Sequence, residues 1–67
     1  MSMTAAKIFS EARKKKGLTQ VEVAEKAGIH PNTYAKIERG INKPSPESIK
    51  QLVKVLGIDP SKILALL

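Results

Sequence analysis

Thr19-Gln20-Val21-Glu22-Val23-Ala24-Glu25-Lys26-Ala27-Gly28-Ile29, followed directly by His30-Pro31-Asn32-Thr33-Tyr34-Ala35-Lys36-Ile37-Glu38-Arg39-Gly40, decides the fold of this chain. It predicts two short helices joined by a tight turn. Thr19 and Glu22 have the Thr-x-x-Glu spacing of a capping box, in which each side chain satisfies a backbone N–H of the other. Gly28 stops that helix, because glycine reaches positive φ without a Cβ clash. His30 then stands at the next N-cap, with Pro31 at the first helical position, where the missing N–H costs nothing. In the second helix Tyr34, Ile37 and Glu38 fall on one side, while Asn32, Lys36 and Arg39 fall roughly opposite. One side is suited to a core and the other is polar. Ala24 sits where the two helices should cross, and a larger side chain there would force the axes apart.

The same start signals recur outward from this pair. A first helix is predicted from Thr4, with Met3 before the cap packing on Ile8. Its apolar face is Ala5, Ile8, Phe9 and Ala12, at i, i+3, i+4 and i+7. Lys14-Lys15-Lys16 and Gly17 close it, with cations at the negative end of the helix dipole. Ile41-Asn42-Lys43-Pro44 reads as a loop. Ser45 caps a fourth helix opened by Pro46, whose core face is Ile49, Leu52, Val53 and Leu56, with Gly57 as its stop. Asp59 and Pro60 open a fifth, with Ile58 facing Ile63. No stretch alternates with strand period, so the fold class is all-α.

Composition narrows the partners. The 67 residues carry 12 Lys and Arg against 6 Asp and Glu, a net charge of +6 that favours a polyanion. Phe9 and Tyr34 are the only aromatic residues. Single-strand and RNA modules usually need stacking rings on their binding face, so duplex DNA is the better partner. A helix pair of this kind can place one helix end in a DNA major groove. Cysteine is absent, which excludes a disulfide framework and a cysteine-bound zinc. Met1-Ser2-Met3-Thr4 does not lead a basic stretch into an apolar run, and no apolar stretch approaches a membrane span. The reading is of a cytoplasmic protein with no cofactor. The glycines are helix stops rather than a phosphate-cradling loop, and no Ser, His and carboxylate grouping suggests catalysis. An enzyme is not expected.

From about Phe9 to Leu64 the chain resembles the Cro/phage-repressor (XRE-like) helix-turn-helix family. The resemblance rests on Gly17-Leu18-Thr19-Gln20, Val23-Ala24, Ala27-Gly28-Ile29, Ile37-Glu38-Arg39-Gly40 and Lys43-Pro44-Ser45 at their spacings. It implies a five-helix, lambda-repressor-like domain over residues 1–67, its helix-turn-helix unit at about 19–40 and its last helix at about 60–67. It also implies a sequence-specific regulator of transcription acting on double-stranded DNA. Pro31, Asn32, Thr33 and Lys36 would face base edges. Asn suits adenine N6 and N7, Lys suits guanine O6 and N7, and Thr suits several bases. Gln20, Arg39, Asn42 and Lys43 would contact phosphates, which fix register without reading sequence. Arg13 and Glu38 resemble the family's buried ion pair between the first helix and the end of the third. His30 and Pro31 depart from the family pattern, which favours a Ser or Thr cap followed by a glutamine.

The C-terminal run Ile63-Leu64-Ala65-Leu66-Leu67 is more apolar than one short helix can bury. Together with the family resemblance and two-fold symmetry it suggests a homodimer on a palindromic operator, built on the fifth helix or the junction of the fourth and fifth, with Ile63, Leu64, Leu66 and Leu67 at the contact. Its other reading is a terminus packed on Phe9 and Leu56. The rival function class is an adaptor or antitoxin-like module that uses the same fold to bind a protein partner.

Overall fold

Side-chain caps set where the helices begin. The structure is a computed structural model that describes residues 4–64, the last of them by its backbone alone. The five helices are α1 (Ala5–Lys15), α2 (Gln20–Ala27), α3 (Pro31–Glu38), α4 (Pro46–Leu56) and α5 (Pro60–Leu64). Thr4 Oγ1 accepts from the Lys7 N–H at 3.3 Å, and Ser45 Oγ accepts from the Ser48 N–H at 3.1 Å. The capping box on α2 is complete. Glu22 N–H donates to Thr19 Oγ1 at 3.1 Å, and Thr19 N–H donates to Glu22 Oε1 at 2.9 Å. That bond from the Thr19 backbone holds the Glu22 carboxyl below its usual pKa. Asp59 Oδ1 accepts from the Ser61 N–H at 3.0 Å at the start of α5. Met3, expected to pack on Ile8, lies outside the described residues.

The apolar faces then meet in one cluster. Phe9 from α1, Val23, Ala24 and Ala27 from α2, Tyr34 and Ile37 from α3, and Leu52 and Leu56 from α4 are buried together with Ile63. Ala5, Ile8, Ala12, Leu18, Ile29, Ile49, Val53 and Ile58 pack against them. Burial of a side chain the size of Phe9 or Leu52 contributes about 1.5–3 kcal/mol. Helix α2 packs on α3 and α4, and α1 packs across the same two helices. The small Ala24, fully buried, permits that close approach of α2. No strand occurs among the described residues, and none of their helices is long and apolar enough to cross a membrane.

The turn between α2 and α3 is the tightest constraint on function, because it sets the angle of α3. Gly28 has φ +71°, and the Ile29 N–H reaches back to the Ala24 carbonyl at 2.9 Å. A Cβ built on Gly28 meets nothing within 4 Å, so only the backbone conformation opposes a side chain there. Gly28→Ala should therefore lower stability by about 1–2 kcal/mol, the cost of a left-handed L-residue. Gly28→Asn should cost less, since Asn tolerates that region. Urea denaturation of the two variants checks the order; equal losses would place the cost elsewhere.

Candidate nucleic-acid interface

Helix α3 is divided as its sequence predicts. Tyr34 and Ile37 are buried, whereas Asn32, Thr33, Lys36 and Arg39 are exposed and Pro31 is half-buried. Its N-terminus is capped by an unusual group: His30 Nδ1 accepts from the Asn32 N–H at 3.1 Å. Imidazole therefore performs the task usually given to Ser or Thr. At the other end the Ile41 N–H donates to the Lys36 carbonyl at 2.9 Å, turning the chain into the loop before α4.

One carboxylate holds this helix in place. Arg13 Nε donates to Glu38 Oε2 at 2.7 Å and Arg13 Nη2 donates to Glu38 Oε1 at 3.2 Å, a two-pronged bond from α1 to the end of α3. The third arm of the guanidinium, Nη1, donates to the Leu18 carbonyl at 2.9 Å, tying in the chain just before α2. Gln20 Nε2 adds a bond to Glu38 Oε1 at 3.0 Å. The Arg13 and Glu38 side chains are only 14% and 5% exposed. The buried Tyr34 hydroxyl lies beside the pair without closing a hydrogen bond of ordinary geometry. Burial raises its pKa, and the neighbouring Glu38 charge pushes in the same direction. Burial alone would also raise the Glu38 pKa. The bonds from Arg13 and Gln20, the Tyr34 dipole and the Arg13 charge outweigh it and leave the carboxyl below its usual value. The bond to Glu38 raises Arg13 in turn.

The predicted phosphate residues do not lie on one element. Arg39, Asn42 and Lys43 line a groove whose far wall is the first turns of α1, including Thr4, Lys7 and Ser10. Glu38 is the only acid in its lining, and Arg13 already neutralises it, so Lys7, Arg39 and Lys43 leave the groove cationic. Lys7 was not singled out in the sequence, since nothing local to α1 says that the loop after α3 folds back over it. Gln20 stands apart, at the start of α2. It is half-buried and turned toward Glu38, so it braces the end of α3 from within the chain. Its other amide hydrogen carries no bond among the described residues.

The expected dimer contact divides differently. Ile63 is 1% exposed and closes the core of the single chain with Phe9, Leu52 and Leu56, so it is not available to a partner surface. That burial has a simple cause: Asp59 caps α5, and Ile58 and Ile63 both pack back onto the core, as in the second reading of this terminus. The side chain of Leu64, with Leu66 and Leu67, lies outside the described residues. Among the described residues two large apolar side chains are exposed, Val21 (49%) on α2 and Ile41 (58%) after α3.

A capped helix pair with a glycine turn, a braced second helix and an exposed polar face defines a helix-turn-helix domain. The chain belongs to the helix-turn-helix family, whose model matches residues 9–63, in its Cro/phage-repressor (XRE-like) branch. The family is one of DNA-binding regulators rather than enzymes. Among similar proteins is the immunity repressor protein of Bacillus phage phi105, 37% identical over 62 residues, which cover 92% of this chain and 43% of the relative. An uncharacterised helix-turn-helix-type transcriptional regulator of Sinorhizobium fredii is 34% identical over 50 residues, covering 75% of this chain and 65% of that protein. The cryptic phage CTXphi transcriptional repressor RstR of Vibrio cholerae is 32% identical over 55 residues, covering 82% and 50%. The chain thus spans between 43% and 65% of the length of these relatives. No solved structure gives a significant match.

The Glu38 network makes stability depend on acid in a stated direction. A carboxyl whose folded pKa is depressed contributes stability that is complete above its unfolded value, near 4.5, and is lost as the pH falls through the folded value. Denaturation in urea across this range should show that loss, and Glu38→Gln should flatten it while lowering stability at neutral pH. Arg13→Ala should cost on the order of 3 kcal/mol by leaving the carboxylate enclosed and unpaired. A parallel acid profile in Glu38→Gln would assign the acid sensitivity to other carboxyls.

Proposed function

We propose that this chain is a sequence-specific double-stranded DNA-binding regulator of transcription, with α3 entering the major groove. The observation that carries the reading is the braced α3, whose core face is locked by Tyr34, Ile37 and Glu38 while Asn32, Thr33 and Lys36 stay exposed. Base readout needs this combination, because hydrogen bonds to base edges discriminate only when the donors are held in register. Pro31, Asn32, Thr33 and Lys36 face the bases in this reading, Pro31 by apolar contact. Gln20, Arg39, Asn42 and Lys43 hold phosphates, the last three from the cationic groove. The net charge of +6 supplies the sequence-independent attraction. Two of the similar proteins carry repressor names, which favours repression as the outcome. The setting is the cytoplasm, where such a regulator meets its DNA.

The regulator works as a homodimer in this proposal. Two copies related by a two-fold axis would place their recognition helices about 34–36 Å apart, matching a palindromic operator. The support is the apolar run that continues past Ile63 to Leu66 and Leu67, more than one core face can take.

A random-oligonucleotide selection at fixed salt tests the whole reading. Enrichment of a palindrome is expected; absence of any enriched sequence would favour an adaptor that binds protein through exposed groups such as Ile41. On the selected site, Lys36→Ala should cost about 1–3 kcal/mol and relax discrimination at one position. Arg39→Ala and Lys43→Ala should weaken all sequences alike and reduce the salt slope by about 1 each. A loss from Lys36→Ala that is uniform across sequences would remove it from base readout. Leu66→Glu should convert the sedimenting species from dimer to monomer, and unchanged sedimentation would move the interface elsewhere.

A further inference from the structure

The cap of α3 has a polar atom to spare. Ser, Thr, Asp and Asn are the usual capping residues, and they cap better than imidazole. Here His30 takes the position, and its Nδ1 accepts from the Asn32 N–H at 3.1 Å. A ring nitrogen that accepts a hydrogen bond carries no proton, so the proton of the neutral ring sits on Nε2. Capping therefore fixes the tautomer. Because Nδ1 is turned onto the helix end, the Nε2–H bond on the far side of the ring is directed away from it. His30 is exposed, and among the described residues no group accepts from Nε2.

The next residue sharpens the point. Pro31 has neither an N–H nor a polar side chain, so the first residue of α3 offers no hydrogen-bond donor of its own. The His30 ring stands immediately before it, and its backbone is anchored by the Tyr34 N–H, which donates to the His30 carbonyl at 3.0 Å. A serine or threonine cap ends at its hydroxyl. A histidine cap reaches one ring further, with a donor at its tip.

We infer that His30 both caps the recognition helix through Nδ1 and donates from Nε2–H to an acceptor on the DNA, standing in for the donor that Pro31 lacks. The inference rests on the reading that α3 faces DNA. The acceptor is an oxygen or ring nitrogen of the duplex, either a phosphate oxygen or a base edge in the major groove; both accept and neither donates at that atom.

His30→Ser separates the two roles, because serine keeps a capping acceptor and removes the distal donor. Its melting temperature should stay at or above that of the parent chain, while affinity for the selected operator should fall roughly 3- to 10-fold, the worth of one hydrogen bond. His30→Ala should lose both stability and affinity. Loss that is equal on all duplexes assigns the acceptor to a phosphate, and loss confined to one base position assigns it to a base edge. Long-range nitrogen–proton correlation spectra of the free chain should show the Nε2–H tautomer. Finding the Nδ1–H form would overturn the inference. So would unchanged operator affinity in His30→Ser while Lys36→Ala weakens binding. If neither variant alters binding, the DNA-facing reading of α3 itself fails.

Discussion

The bond between Arg13 and Glu38 is the constraint on which the rest of this small domain depends. Helix α3 is only eight residues long and would be marginal alone, so its orientation must be imposed from outside. The guanidinium does this by engaging both oxygens of Glu38 and the Leu18 carbonyl at once. Gln20 closes the arrangement from α2. Helices α1 and α2 thus both bond to one enclosed carboxylate on α3. Taking two charges out of water costs energy that their attraction only partly returns, so the pair is better understood as a fixer of geometry than as a source of stability. That geometry is what a reading helix needs.

The division of α3 follows from the same fixing. With Glu38 held, Tyr34 and Ile37 point into the core beside Val23, Ala24 and Leu52. The opposite face is then obliged to point outward, and it carries Asn32, Thr33 and Lys36. Caps at both ends prevent the short helix from unwinding where it would meet DNA. The glycine turn at Gly28 sets the angle at which it leaves α2. The surplus of cations lies mainly on α1 and in the loop after α3, and the fold gathers Lys7, Arg39 and Lys43 around one groove.

Much of this was legible in the sequence because it is local. Thr4, Thr19, His30 and Ser45 all cap through bonds two or three residues away, and the box from Thr19 to Glu22 is complete within four positions. The apolar faces of α1 and α4 were legible for the same reason, since helical spacing alone brings Ile8 beside Phe9 and Ala12, and Leu52 beside Leu56. The Arg13 and Glu38 pair came from family resemblance rather than from spacing, and the geometry agrees with it. The sequence did not show that Gln20 turns toward Glu38, or that Lys7 joins the groove opposite Lys43. It left Ile63 open between a dimer contact and a terminus packed on Phe9 and Leu56, and the side chain is buried in the core.

The sequence by itself therefore determined the helices, their ends, the turn and the two faces of α3, because each depends on residues within about one helical turn. Only the tertiary structure decided what the pivotal polar groups touch. The bonds to Glu38 span 18 residues from Gln20 and 25 from Arg13, and such partners are chosen by how helices stack rather than by any pattern along the chain. The fate of Ile63 was settled the same way, since whether an apolar side chain is buried or left for a partner depends on the space the other helices leave for it.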